Sequence, residues 1–210
     1  MSVQPEVSPT EIPDWDAVYR RGTPPWDSGR PASELVRLVD QGVLRPCSVL
    51  ELGCGTGADA IYLAQHKFDV TAVESSPIAL ERARNRAQQQ DTLVRFVLDD
   101  VFDFAQEAGQ FDLVYDGGFY HFIRRGQLDR LLDLLWRVTR PDSYYLAIAG
   151  GVRKKNGDGP PQVSEKEIRA ELGRLFECVE LRRCRIEGSQ NDVDYPGWSC
   201  LMQRPNMGIG

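Results

Sequence analysis

The segment Ser48-Val49-Leu50-Glu51-Leu52-Gly53-Cys54-Gly55-Thr56-Gly57 decides the fold of the chain. Residues 48–52 form a short apolar run bounded by a turn signal, the pattern of a strand buried in a parallel sheet. Gly53, Gly55 and Gly57 follow at once. Residues without a Cβ let the backbone turn sharply and come close to a ligand. A helical run over 57–65 comes next, so the segment reads strand, glycine loop, helix.

The same alternation continues downstream. Residues 69–74 are a second strand, and Ser76 followed by Pro77 reads as an N-cap and first helical residue, with Leu80, Ala83 and Ala87 facing inward. Residues 94–98 and 111–115 are further strands. Leu128, Leu131, Leu132, Leu135 and Val138 at helical spacing predict a helix over 127–139, stopped by Pro141 and followed by a strand over 144–149. Strands alternating with helices imply a mostly parallel sheet covered on both faces. Residues 178–186 and 198–203 are then separated by a polar loop and no helix, which predicts a hairpin with an antiparallel strand at the sheet edge. Upstream, a helix carries Leu35, Leu38 and Val39 on one face and ends at Gly42. The expected organisation is a flexible tail over 1–12 and a single domain over 13–210, divided into a cap segment (13–45) and a core (46–210).

Composition narrows the partners. A chain of 210 residues suits one domain, and 41% hydrophobic residues suffice for a substantial core. No apolar stretch approaches the roughly 20 residues needed to span a bilayer. A net charge of −6 argues against nucleic acid or an anionic membrane as partner. The basic clusters Arg124-Arg125, Arg153-Lys154-Lys155 and Arg182-Arg183 are short and fit solvated faces. Five cysteines without CxxC spacing favour reduced thiols in a cytoplasm, and two distant histidines offer no metal site.

The glycine loop alone is ambiguous, because Gly53, Gly55 and Ala58 also fit a dinucleotide pattern and a tight turn needs no ligand. Three acids narrow the choice. Glu51 lies two residues before the first glycine, where a pyrophosphate would be repelled and an ammonium or sulfonium welcomed. Glu74 ends the second strand, placed for a bidentate bond to ribose hydroxyls, and Asp100 follows the third, placed for an adenine amine. Each acid alone is more often a solvated turn residue. Together they describe an adenosyl ligand that carries an amino acid instead of a diphosphate.

Leu50-Glu51-Leu52-Gly53-Cys54-Gly55-Thr56-Gly57 resembles the first motif of the class I S-adenosylmethionine-dependent methyltransferases. Val73-Glu74-Ser75-Ser76-Pro77 and Asp99-Asp100-Val101 resemble the second and third. The resemblance implies an α/β, Rossmann-like sheet of seven strands, mostly parallel, with helices on both faces and an antiparallel C-terminal hairpin. It implies S-adenosylmethionine as cofactor and S-adenosylhomocysteine as product. Glu51, Gly53, Cys54 and Gly55 would hold the methionine part, Glu74 and Ser75 the ribose, and Asp100 with the backbone of Val101 the adenine.

A narrower resemblance lies upstream. Trp15-Asp16-Ala17-Val18-Tyr19 and Pro24-Pro25-Trp26-Asp27-Ser28-Gly29-Arg30-Pro31 are similar to the opening of the thiopurine and thiol S-methyltransferase group, with its halide and tellurite relatives. By that resemblance Trp15 and Trp26 close over the cofactor, where π-faces attract a sulfonium and shed water. The alternative is a helix anchored by tryptophans without ligand contact. At the end of the fourth strand, Tyr115-Asp116-Gly117-Gly118-Phe119-Tyr120-His121-Phe122 departs from the group's pattern, since Gly117 stands where bacterial relatives carry arginine. Asp116 is expected near the cofactor's amino group. Tyr120 and His121 are expected to face the acceptor, His121 as a base for a thiol, or else as a packing residue.

Methyl transfer from a sulfonium is an in-line displacement that asks mainly for alignment, dryness and a deprotonated nucleophile. The expected enzyme is therefore a cytoplasmic methyltransferase acting on a small molecule, foremost a thiol, with residues 150–163 looping over the pocket. An O- or N-methyltransferase and a non-catalytic S-adenosylmethionine-binding module are the alternatives. A nicotinamide dehydrogenase is disfavoured by Glu51 and by the missing second nucleotide-binding half.

Overall fold

The computed structural model of the chain describes residues 13–153, 159–188 and 194–206; the tail read over 1–12 lies outside them. Two short helices come first, α1 (Trp15–Arg20) and α2 (Ser33–Asp40). Alternation then runs through β1 (Ser48–Leu52), α3 (Ala58–Gln65), β2 (Asp69–Glu74), α4 (Pro77–Gln89), β3 (Arg95–Leu98) and α5 (Val101–Glu107). It continues with β4 (Phe111–Asp116), α6 (Phe119–Val138) and β5 (Thr139–Gly150), and α7 (Glu165–Leu172), β6 (Glu177–Glu187) and β7 (Asp194–Gln203) follow.

The seven strands make one sheet in the order β3-β2-β1-β4-β5-β7-β6. Strand β1 pairs in parallel with both β2 and β4, so the strand order reverses at β1. Such a reversal leaves a crevice at the carboxyl ends of β1 and β4, the place where open α/β sheets bind ligands. Successive side chains alternate between two cores. Val49, Leu113, Tyr115 and Leu146 pack with Leu35, Leu63 and Leu80, whereas Leu50, Val114, Tyr145 and Ala147 pack with Leu131, Leu135 and Ile168.

Three details correct the sequence reading. The antiparallel strand β7 does not form the edge; it lies between β5 and β6. Its Ser199, Cys200, Leu201 and Met202 are buried, as an interior strand requires, and the charged β6 (Arg182, Arg183, Arg185) suits an edge. Helix α6 begins at Phe119 and breaks at Gln127 (φ −136°, ψ 31°), so the apolar periodicity from Leu128 onward marked its second half. Strand β5 begins at Thr139, and Pro141 sits where its register with β4 shifts. Helices α5 and α7 were not anticipated. Each is started by a cap: Asp100 accepts from the Phe102 N–H at 2.8 Å, and Ser164 with Glu167 forms a reciprocal capping box. No described helix is long and apolar enough to cross a membrane.

Candidate active site

Gly53, Gly55 and Gly57 bend the chain out of β1 with φ of +65°, +54° and +77°, a region that side chains rarely enter. A Cβ on Gly55 would stand 2.7 Å from the Tyr19 hydroxyl, and one on Gly57 would stand 2.9 Å from Ala83 of α4. The loop is thus gripped from α1 and from α4. Cys54 is buried within it, its N–H donating to Val73 O at 3.0 Å, and burial pushes its thiol up.

Two of the expected acids meet at this loop. Glu74 is 5% exposed and accepts from the Gly55 N–H at 2.9 Å through Oε2 and from the Ser76 N–H at 2.8 Å through Oε1. Burial still raises its pKa. Glu51 is 3% exposed, and among the described residues nothing donates to its Oε2. Burial, followed by the nearby carboxylates Asp59, Glu74 and Asp116, raises the Glu51 pKa well above the ordinary range. Asp59 avoids the same isolation by accepting from the Ala32 N–H at 2.7 Å and the Tyr115 hydroxyl at 2.7 Å. Ser75 and Asp100 are exposed at the ends of β2 and β3, and Val101 next to Asp100 is buried.

The cap segment lies across the loop through polar contacts. Asp16 accepts from Ser76 Oγ at 2.9 Å, and Asp27 accepts from Thr56 Oγ1 at 2.9 Å. Arg82 of α4 donates to the carbonyls of Tyr19 and Gly22, at 2.8 Å and 2.9 Å. Trp15 stands edge-on to Trp26 (5.9 Å between centroids) and to Phe122 of α6 (5.1 Å), while Trp26 remains 41% exposed. The tryptophans therefore join the cap to the start of α6, and Phe119 reaches within 3.7 Å of where a Gly53 Cβ would be.

The start of α6 departs from expectation. Asp116 is fully buried, and its carboxylate accepts from the N–H groups of Gly118 (2.9 Å), Phe119 (2.8 Å) and Tyr120 (3.1 Å) and from the Tyr145 hydroxyl (2.6 Å). It caps the helix and is not left free for an amino group. Tyr120 faces away from the crevice, since its hydroxyl donates to Glu171 of α7 at 2.8 Å beside the Arg124–Glu171 ion pair. His121 is 5% exposed, and its Nδ1 accepts from the Gly150 N–H at 3.1 Å. That bond puts the ring hydrogen on Nε2. Burial, then Arg125 and Arg153, lower its pKa to about 3. His121 is thus a neutral donor at Nε2, and it is not arranged as a base.

The sequence reading did not single out Tyr19, Asp59 or Tyr145. The available signal was Asp59 in the first turn of the helix after the glycine loop, where an acid belongs for helix-dipole reasons alone. The loop proposed over 150–163 is described only in part; Lys154 and Lys155 lie outside the described residues, and Val163 donates to Gly150 O at 2.8 Å.

Residues 49–142 match the family model described as a methyltransferase domain. The chain is an S-adenosylmethionine-dependent methyltransferase. The residues at the carboxyl end of β1 fit that cofactor: a buried carboxylate oxygen without a donor suits an ammonium, and three glycines at positive φ give a loop whose backbone carries no side chains at those turns. The methyltransferase is 26% identical to the 2-heptyl-1-hydroxyquinolin-4(1H)-one methyltransferase of Mycobacteroides abscessus, over 78% of this chain and 73% of that one. It is 26% identical to a probable thiol methyltransferase 2 of Arabidopsis thaliana, over 80% and 75%. A solved structure described as "Conversion of a Disulfide Bond into a Thioacetal Group during Echinomycin Biosynthesis" superposes with a TM-score of 0.80 at 26% identity, covering 91% of each chain. A more distant methyltransferase of this fold, the magnesium protoporphyrin IX methyltransferase of Synechocystis, has been solved both with S-adenosylmethionine and with S-adenosylhomocysteine bound.

Proposed function

We propose that the enzyme methylates a small-molecule acceptor at a soft nucleophile, foremost a thiol that arrives already ionised. The observation that carries the placement of the cofactor is the unpartnered Glu51 Oε2 at the switch point of the sheet, beside the glycine loop. Glu51 takes the ammonium end of the cofactor, and the backbone of Gly53, Cys54 and Gly55 follows its methionine part. Glu74, with Ser75, takes the ribose hydroxyls, and Asp100 with the Val101 N–H takes the adenine. When bound, S-adenosylmethionine supplies a methyl group on an electrophilic sulfonium. In this reading Trp15 and Trp26 lie over that positive charge, where a π-face attracts a cation and sheds water. Asp116 and Tyr120, which the sequence suggested as contacts, are left out of this reading because their side chains bond to the start of α6 and to Glu171 of α7.

A sulfur acceptor is supported by the bonding of His121. With Nδ1 tied to Gly150, the His121 side chain has no lone pair to offer, which favours an acceptor that ionises without its help. A thiol with a pKa of about 8.5 does so readily near neutrality. The thiol methyltransferase relative and the sulfur chemistry named for the solved neighbour support the same reading. The hydroxyquinolinone relative favours a second one, an acidic N-hydroxyl oxygen as acceptor. Product formation from S-adenosylmethionine with matched thiol and N-hydroxy heterocycle acceptors separates the two. Turnover with neither class, despite tight cofactor binding, would leave a binding module and end the proposal.

A further inference from the structure

Glu51 and its surroundings carry an inference that rests on the cofactor placement just proposed. Its side chain points to the face of the sheet covered by α3, where Asp59 and Tyr115 lie, and the ends of β2 and β4 bring Glu74 and Asp116 near it. In the loop beyond β1, the Cys54 thiol feels both Glu51 and Glu74, and Arg84 of α4 acts on that thiol. Every neighbouring carboxylate has donors: Asp59 has Ala32 and Tyr115, Glu74 has Gly55 and Ser76, and Asp116 has three backbone N–H groups and Tyr145. Glu51 Oε2 has none.

An ionised carboxylate oxygen so placed would be desolvated, undonated and surrounded by like charge, the most costly state for such a group. We infer that Glu51 carries a proton in the ligand-free enzyme and releases it to solvent when an α-ammonium group docks on Oε2, so that cofactor binding is proton-linked and selects ligands bearing an α-amino group. The step balances as one O–H bond broken, one proton passed to the buffer, and one ion pair formed. The arriving cation stabilises the carboxylate, so the bound pKa falls below the free one. Between those two pKa values affinity rises with pH, by up to about tenfold per unit. A ligand without the amino group has no such slope.

Calorimetric titration of the full chain with S-adenosylhomocysteine, at one pH in two buffers of different ionisation enthalpy, counts the proton directly. Repeated at several pH values at which the ligand's amino group is charged, it is expected to show release that rises to about one proton between the bound and the free pKa of Glu51. 5′-Methylthioadenosine, which lacks the amino-acid portion, is expected to bind more weakly with no release. Glu51→Gln is expected to abolish the release, flatten the pH dependence and weaken S-adenosylhomocysteine about tenfold while leaving methylthioadenosine unchanged. The unliganded variant should melt no lower than the parent at pH 8, since a buried acid with a raised pKa withdraws stability as pH rises through that pKa. Tight S-adenosylhomocysteine binding with no buffer dependence would overturn this inference alone. No binding of either adenosyl ligand to the parent would overturn the cofactor placement and this inference together.

Discussion

Glu51 and Asp116 are two buried carboxylates at the carboxyl ends of neighbouring parallel strands, with Glu51 paired in register to Tyr115. They point to opposite faces of the sheet and have opposite bonding states. Asp116 accepts from three backbone N–H groups and a tyrosine hydroxyl, whereas Oε2 of Glu51 accepts from nothing among the described residues. The difference separates scaffold from receptor. A carboxylate whose lone pairs are filled by its own chain fixes the position of what donates to it, here the first turn of α6. One left open and buried stays ionised only when something else brings the positive charge, and otherwise keeps its proton. Both residues looked like cofactor ligands in sequence, and only bonding state tells them apart.

The largest expected effect follows from the filled side of that comparison. Asp116→Ala removes the cap of α6 and leaves the buried Tyr145 hydroxyl without its acceptor. It should lower stability by about 2–4 kcal/mol, read as a shift of the urea midpoint. A loss close to zero would mean that α6 starts without this cap, and the contrast with Glu51 would collapse. Next comes the support behind Tyr120. Glu171→Ala strips the partner from Arg124, whose side chain is only 8% exposed, and from the Tyr120 hydroxyl. With Glu167 still beside Arg124, a loss of about 2–3 kcal/mol is expected in the same measurement.

Much of this is legible in the amino-acid sequence. Residues 48–57 gave the central strand and its turn, since buried β-runs and left-handed glycines leave strong local marks. Ser76-Pro77 marked the start of α4, whose N-cap accepts from the Ala79 N–H. What stayed hidden depends on through-space bonding. Asp100 reads the same in sequence whether it holds adenine or caps α5, and in the structure it does cap α5. The capping box of α7 was present as Ser164-x-x-Glu167, but Ile168 and Leu172 are too few apolar positions to show a helical period. A hairpin rule says that β6 and β7 pair and is silent on which of them touches β5. The tautomer of His121 is set by the Gly150 N–H, a group 29 residues away.

Between the two extremes stand Glu74 and Asp100, which accept from their own chain and keep lone pairs to spare, and there the expected effects are on ligand affinity. Glu74→Ala removes the proposed ribose acceptor and also frees the Gly55 N–H, so S-adenosylhomocysteine affinity should fall about tenfold to a hundredfold. Asp100→Ala should cost about tenfold. It removes one charge-assisted bond at an exposed site, although loss of the α5 cap adds to it. Unchanged affinity in both variants would sink the placement of the adenosyl group, whatever the acceptor.

The smallest effect sharpens the comparison at its third member, His121. The ring is neutral in the folded chain, with a pKa lowered to about 3, while an unfolded histidine titrates near 6.5. Below about pH 6.5 the unfolded chain binds a proton that the folded chain refuses, so this group withdraws stability as pH falls. The limiting slope is about 1.4 kcal/mol per unit until the folded ring itself protonates. The raised pKa values of Glu51, Glu74 and Asp116 act in the opposite sense, which is why the parent curve alone cannot isolate the effect. His121→Asn keeps an acceptor for Gly150 and removes the titration. The stability difference between parent and variant should therefore drift by about 1 kcal/mol between pH 6.5 and 5.5, followed by urea unfolding at each pH. The same variant bears on chemistry. If the acceptor arrives ionised, the rise of kcat/KM with pH should follow the pKa of the thiol supplied, shift when a more acidic thiol replaces it, and survive the substitution. A limb that stays fixed across thiols and vanishes in His121→Asn would make His121 the base after all, and the bond to Gly150 a resting state that substrate displaces.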